Sequence, residues 1–480
     1  MVRKHALTIA AVLVVAVMSL MTAPGARADV VQRFATTRAV PDVLWAMPVG
    51  ETDREEDEID GISVDPNGNV VVTGVFRGGL DLGGNRFESY GGDDTFAASI
   101  ARDGSLRWAL HFGGRGDDNT FDLSTDGDGN IYMSGWFADT ITFGDVTLQS
   151  QGSQDMFLAK LNPNGQTIWA RSFGGRSGDG GNEIAVLAGG DIAVALISEG
   201  DVTIGDRSFS AGGGSRDSYV LRLNRNGEVL WVHPVNGPGV ERIRAMSMNE
   251  AGEVFVGFQY RDSLQMGGQV LQSQGDWDGA AAKLTSGGDL AWLVPVGGSD
   301  VDNVRGIGAA PDGSVYLSGE FSGPAIMIDR DVPSIGGRGD EFIIKLGPDG
   351  QLLWIISFGG RGRGTGGELR ADANGVVVSS LVERATVIRL NRDVIGEMDP
   401  SSPTSYLAAF TPDGAPRFIY MTSPEGRGSG ALGDTLAISR DGRYLVQALR
   451  FRGTITAGGR SMTTPSQKDS ALVLLQLNGG

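Results

Sequence analysis

The sequence predicts an all-β chain folded as a seven-bladed β-propeller of four-stranded blades. Three observations predict it. A tryptophan recurs at Trp45, Trp108, Trp169, Trp231, Trp292 and Trp354, with Phe418 as a seventh occurrence, at intervals of 61 to 64 residues. Glycines hold fixed offsets within that period. The chain also begins with one strand too many and ends with one too few. A period of this length marks a repeat architecture in which each unit buries its apolar face against the next.

The type unit is residues 118–175. Asp118 to Thr125 reads as a strand, Asp126-Gly127-Asp128-Gly129-Asn130 as a turn, and Ile131 to Phe137 as a second strand. An excursion runs to Gln154, and Ile141 to Leu148 within it suits a small hairpin. Asp155 to Leu161 is a third strand, Asn162-Pro163-Asn164-Gly165 a turn, and Thr167 to Phe173 the fourth strand. Short β-rich runs bounded by Asn-Gly, Asp-Gly and Pro are hairpin signals. The first turn carries Gly68, Gly129, Gly190, Gly252, Gly313, Gly375 and Gly442; the second carries Gly104, Gly165, Gly227, Gly288, Gly350, Gly414 and Gly479. Tight hairpin turns require a positive φ, which glycine adopts without strain. An aspartate opens the third strand at Asp94, Asp155, Asp217, Asp278, Asp340 and Asp469, with Thr404 in its place in the sixth unit. Trp169 and Phe173 are four apart on a strand and so share one face, which fits packing between blades.

Val43 to Gly50 matches only the last strand of a unit, whereas Ala471 to Gly480 stops where the next tryptophan strand should begin. Pairing the first strand with the last blade closes a ring and leaves no open sheet edge. The expected organisation is residues 1–28 as a signal peptide, 29–42 as a lead-in, and 43–480 as one propeller of seven repeats of about 62 residues. The leader reading rests on the basic start Val2-Arg3-Lys4-His5, the apolar run Ala6 to Met21, and the small-x-small site Ala26-Arg27-Ala28. Cleavage there would take the formal charge from −18 to −21 by removing Arg3, Lys4 and Arg27. The expected location is therefore the periplasm or the cell exterior, with no transmembrane segment in the mature chain.

Composition excludes several chemistries. With no cysteine, the chain has no disulfide, no thiol nucleophile and no cysteine metal site. So acidic a chain repels the phosphates of nucleic acid and anionic lipid. Beyond His5 the only histidines are His111 and His233, which argues against a histidine metal cluster. Asp126, Asp128 and Asn130 alternate as at the start of an EF-hand, but Phe137 stands where the closing glutamate belongs, so a plain Asp-Gly turn is the better reading. Glu51 to Asp60 is the densest acidic run and reads as a solvated loop that could take a cation or a basic partner. Arg115-Gly116-Asp117 and Arg338-Gly339-Asp340 spell an adhesion tripeptide at two different repeat positions, which marks coincidence. Gly362, Gly364 and Gly367 satisfy G-x-G-x-x-G but precede a strand-like stretch, so a dinucleotide site is rejected.

The motifs Asp128-Gly129-Asn130-Ile131-Tyr132-Met133-Ser134-Gly135, Asp155 to Gly165, and Trp169 with Phe173-Gly174-Gly175 resemble the bacterial SBBP repeat. The likeness covers residues 43–480 and is weakest at 366–423, where Val382 to Ser405 is a longer excursion. The resemblance implies an exported bacterial propeller and supplies no catalytic, cofactor or metal residues.

The function expected is a non-enzymatic binding or scaffold module, monomeric and without a cofactor. Its protein or glycan partner would sit on the face that carries the Gly-Gly linkers and long excursions. One alternative is a carboxylate- or calcium-dependent hydrolase or lyase acting on polysaccharide, which requires Asp, Glu, Arg or Tyr from several blades to converge at the central channel. A second alternative is a self-associating structural surface component.

Overall fold

In the computed structural model the tandem repeat becomes seven antiparallel sheets around a central axis. The structure describes residues 41–49, 57–210, 216–334, 339–359, 363–365, 367–383, 387–390, 393–397, 404–457, 459–463 and 469–477. The leader, the cleavage site, most of the lead-in, Glu51 to Glu56, Arg338, Gly362 and Gly479 lie outside them.

Blade 2 illustrates the pattern. Its strands are Asp118–Thr125 innermost, then Ile131–Phe137, Asp155–Leu161 and Thr167–Gly175 outermost, hydrogen-bonded in that order. The third strand is buried along its whole length, because the neighbouring blades cover both of its faces. The turn glycines take the expected backbone, with φ of 80° at Gly129 and 81° at Gly165.

The ring closes as the strand count requires. Asp42–Val49 pairs antiparallel with Asp469–Gln476 and forms the outer strand of blade 7, with Ala46 opposite Val473. Blade 6 departs from the pattern: two short strands, Arg363–Thr365 and Leu369–Asp372, share its inner position against Gly375–Glu383.

The excursions fold as hairpins. Thr140–Phe143 pairs with Val146–Gln149. In blades 3 to 6 the hairpin also reaches back onto the outermost strand of the preceding blade, as where Thr203 pairs with Gly174. Each such hairpin covers backbone that would otherwise be an exposed sheet edge.

The tryptophan series latches blade to blade. Trp45 Nε1 donates to the Arg102 carbonyl at 3.1 Å, Trp108 to Pro163 at 3.1 Å, Trp231 to Ser286 at 3.0 Å and Trp354 to Pro412 at 3.1 Å. Each acceptor lies in the last turn of the next blade. The glycine of that turn rests on the indole: a Cβ on Gly165 would come within 3.2 Å of the Trp108 ring. One motif glycine thus serves a positive φ and a close approach together.

Candidate functional site

Four carboxylates and four guanidinium groups meet at the propeller axis. The innermost strands are bulged where they pass the channel: the ladder skips Asp60 in blade 1, Phe121 in blade 2, Asn182 and Glu183 in blade 3, Arg244 in blade 4 and Arg305 in blade 5. A bulge frees a residue from the ladder and re-aims its side chain. These residues, with Asp122, Glu368, Arg370, Thr435 and Arg450, line a cavity of about 430 Å³. A second chamber of about 210 Å³ continues along the axis, and Asp122, Glu183 and Arg370 line both. They form the waist between the two.

The acidic side is held in place from the neighbouring blades. Asp122 accepts hydrogen bonds from the amides of Leu123 at 2.8 Å and of Ile184, in blade 3, at 3.1 Å. Glu368 accepts from the Leu436 amide at 2.7 Å and the Thr435 hydroxyl at 2.5 Å, and it pairs with Arg370. Burial pushes the Asp122 carboxyl up to about 7; Arg370 opposes the rise and Glu368 adds to it. Glu183 is raised well above its ordinary value by burial, then by Asp122 and Glu368. Arg370 stays above its usual range: burial works against its charge, and Glu368, Asp122 and Glu183 together outweigh it.

The basic side is less satisfied. Arg244 donates to the neutral Gln259 amide oxygen at 2.9 Å. Burial, Arg305 and Arg242 press its guanidinium down to about 10. Arg305 reaches Glu320 at 3.1 Å through Nη2, while its buried Nε has no partner. Arg450 is occupied by Glu58 at 2.7 Å, a pair that bridges the closing blades. Arg244, whose partner is a neutral amide, and Arg305, whose Nε is unpartnered, have donor capacity to offer.

Of the residues singled out in the sequence, few meet here. Asp57 is buried, Glu58 pairs with Arg450, and Asp60 lines the cavity, so the end of the acidic run belongs to the axis rather than to a solvated loop. The Asp126 carboxylate takes the amides of Asp128 and Asn130, the Asn130 side chain and the Tyr132 hydroxyl. It is filled by its own turn, as an Asp-Gly turn requires. His111 and His233 lie on different blades; His111 stacks on Tyr90 at 4.4 Å and His233 Nδ1 meets the Gly288 carbonyl at 2.9 Å. Among the described residues no three His, Asp or Glu side chains come together as a metal cluster, and no helix is long and apolar enough to cross a membrane.

The axial residues carried a sequence signal that the repeat reading passed over. Gly61, Asp122, Glu183, Arg244 and Arg305 follow one another at 61-residue spacing. The repeat conserves the tryptophan but varies this position through glycine, both acids and arginine.

A second set of carboxylates lies at the blade junctions. Asp94, Asp155, Asp217 and Asp278 are each followed 24 residues later by Asp118, Asp179, Glu241 and Asp302, which stand at the start of the first strand of the next blade. All eight are buried. The two members of a pair repel one another: burial and then Asp94 raise Asp118 to about 8, and burial and then Asp217 raise Glu241 to about 7. Burial with a contribution from Asp155 brings Asp179 to about 6, and burial with one from Asp278 brings Asp302 to about 7. These pairs explain the Gly-Gly linkers. A Cβ on Gly174 would lie 2.5 Å from Asp155 Oδ1, and the Gly175 amide donates to Asp179 at 2.7 Å.

No family model matches the chain. Regulatory protein FlaEY of Caulobacter vibrioides is 24% identical over 224 residues, 44% of this chain and 23% of that protein. The chain thus matches less than a quarter of that relative's length. Similar solved structures include the Neurospora crassa Pan2 WD40 domain (TM-score 0.43, 11% identity, 88% of this chain and 90% of that one). The β-propeller domain of the Pyrococcus furiosus trilobed protease has a TM-score of 0.41 at 8% identity, over 86% of this chain and 97% of that one. A family PL25 ulvan lyase has a TM-score of 0.35 at 10% identity, over 75% and 79%. The fold class stands on the strand topology described above.

Proposed function

We propose that the chain is an exported β-propeller binding module of the SBBP-repeat type, whose ligand enters the axial channel and carries a carboxylate. One observation carries the reading: the residue at one repeat position, at or beside the bulge of the innermost strand, differs from blade to blade, while the residues that hold the blades together repeat. A position that only supports the fold has no reason to vary through Gly61, Asp122, Glu183, Arg244 and Arg305. Rigid elements that converge unlike side chains on one concavity are the usual form of a recognition site.

An acidic ligand fits the charge pattern. An incoming carboxylate would give the buried Arg305 Nε an acceptor and would offset the repulsion between Arg244 and Arg305. Asp122 and Glu183, held toward their protonated forms, would donate to it rather than repel it. An acidic glycan outside the cell suits the expected export.

A second reading has a specific observation in its favour. The polysaccharide hydrolase or lyase alternative requires convergent acids and arginines at the channel, and that convergence is present. Carboxyl groups kept protonated near neutral pH are suited to general acid catalysis.

An array of acidic and neutral oligosaccharides, probed with the wild type and with Arg244→Ala/Arg305→Ala, tests the first reading. Binding to acidic members that the double variant loses supports it. New chain ends released from an acidic polysaccharide by the wild type, and not by Glu183→Gln of unchanged melting temperature, would move the assignment to the second.

A further inference from the structure

We propose that the blade junctions bind divalent cations of the calcium class, one between each pair of carboxylates that opens the third strand of one blade and the first strand of the next. The clearest case joins blades 4 and 5. Asp278 Oδ2 accepts the Gln274 amide at 2.5 Å, and Asp302 Oδ2 accepts the Gly298 amide at 2.6 Å. Asp278 Oδ1 is buried and has no partner. Gly297 lies between the two groups: a Cβ there would sit 2.8 Å from Asp278 Oδ1 and 3.2 Å from Asp302 Oδ2. The missing side chain leaves room where the two carboxylates converge. A cleft of about 540 Å³ lined by Gln274, Gly298 and Ser299 opens beside the backbone amides that hold them.

The same arrangement recurs around the ring. Asp155 Oδ1 and Asp179 Oδ1 are both buried without partners, as are both oxygens of Asp118, Oδ1 of Asp94 and both oxygens of Glu241. The amides of Gly114 and Ala138 act to lower the Asp118 carboxyl, and burial outweighs them. A buried carboxylate without a partner costs free energy, and a second one beside it costs more. Two resolutions are available: the pair shares a proton, or it holds a cation. Recurrence at four junctions, with spare oxygens on both sides of the Asp155–Asp179 pair, favours the cation. Hard, all-oxygen donors select calcium or magnesium, with backbone carbonyls and water completing the shell. These sites are distinct from the turn at Asp126, whose carboxylate is already filled. The proposal is independent of the axial ligand.

The test uses the whole chain, freed of metal with a chelator at pH 7.5. Calcium should raise its melting temperature by about 5 °C or more, as mass action requires for a ligand of the folded state. Equilibrium dialysis should find several ions per chain, and Asp278→Asn/Asp302→Asn should bind one fewer. Because that variant could fail to fold, terbium luminescence provides a second measure. Trp277 adjoins Asp278 in sequence, so the wild type should sensitise bound terbium, excess calcium should displace it, and Trp277→Phe should lose part of the emission. No calcium-dependent melting shift, together with no terbium emission, would overturn the proposal in favour of proton-sharing pairs.

Discussion

Trp292 Nε1 donates a 3.0 Å hydrogen bond to the Pro348 carbonyl, 56 residues on and in the next blade, while Gly350 rests against the indole ring. The same relation links six successive tryptophans to the turn that follows in the ring, beginning with Trp45 and Arg102. It makes the sequence period a mechanical coupling, with each blade clasped by the one before it.

Trp292→Phe should keep most of the packing and lose the donor. The expected loss is about 1 kcal/mol of unfolding free energy, and Trp292→Ala should lose about 3–5 kcal/mol. Urea denaturation of both variants checks the ordering. Equal losses would mean that the hydrogen bond, and not the ring, carries the latch.

Gly174→Ala should destabilise the fold, because its Cβ would press on the buried Asp155 carboxylate. The cost belongs to the contact and not to φ, so it should shrink when Asp155 is shortened. A double-mutant cycle with Asp155→Ala should return a coupling of about 1 kcal/mol or more. Additive effects would disconnect the linker glycine from the acid.

With metal chelated, the junction acids set a pH dependence of known sign. Asp179, Asp302 and Asp118 have folded values of about 6, 7 and 8, above the ordinary carboxyl range. A carboxyl raised on folding binds protons more tightly in the folded state. Its contribution is full below the unfolded value and is lost as pH climbs through the folded one. The charged neighbours that bear on these groups are themselves acids: Asp94 and Asp117 on Asp118, Asp155 and Glu199 on Asp179, Asp278 and Asp300 on Asp302. The melting temperature in chelator should therefore fall between about pH 4 and pH 8. Calcium should flatten that fall. A melting temperature that rises over the same interval would contradict the assignment.

Deleting residues 42–49 should remove the outer strand of blade 7 and expose the Asp469–Gln476 edge. The shortened chain should melt lower and self-associate, as light scattering would register. A synthetic peptide of that strand should restore part of the melting temperature. An unchanged monomer would show that closure is dispensable.

The blade pattern was legible because its determinants are local and repeated. Trp169, Gly129, Gly165 and the Asn162 turn recur with little change, and the strands of residues 118–175 fall where their alternation and turns put them. The junction pairs were half legible. The aspartates that open the third strands stood out, whereas their partners Asp118, Asp179 and Asp302 sit in the next unit and become neighbours only when blades stack. The axial site was not legible as a site. Asp122, Glu183, Arg244 and Arg305 hold one position in successive units, but a bulge at or just before each decides what faces the channel, and bulges leave little trace in a strand's alternation.

The most direct test of the axial assignment is calorimetric titration of a uronic-acid oligosaccharide into the wild type and into Arg244→Ala/Arg305→Ala. The wild type should bind, and the variant should bind about tenfold or more weakly, which corresponds to about 1.4 kcal/mol. The variant's melting temperature should stay within a few degrees of the wild type. Equal affinity for both proteins, or equal affinity for a neutral oligosaccharide of the same length, would contradict it.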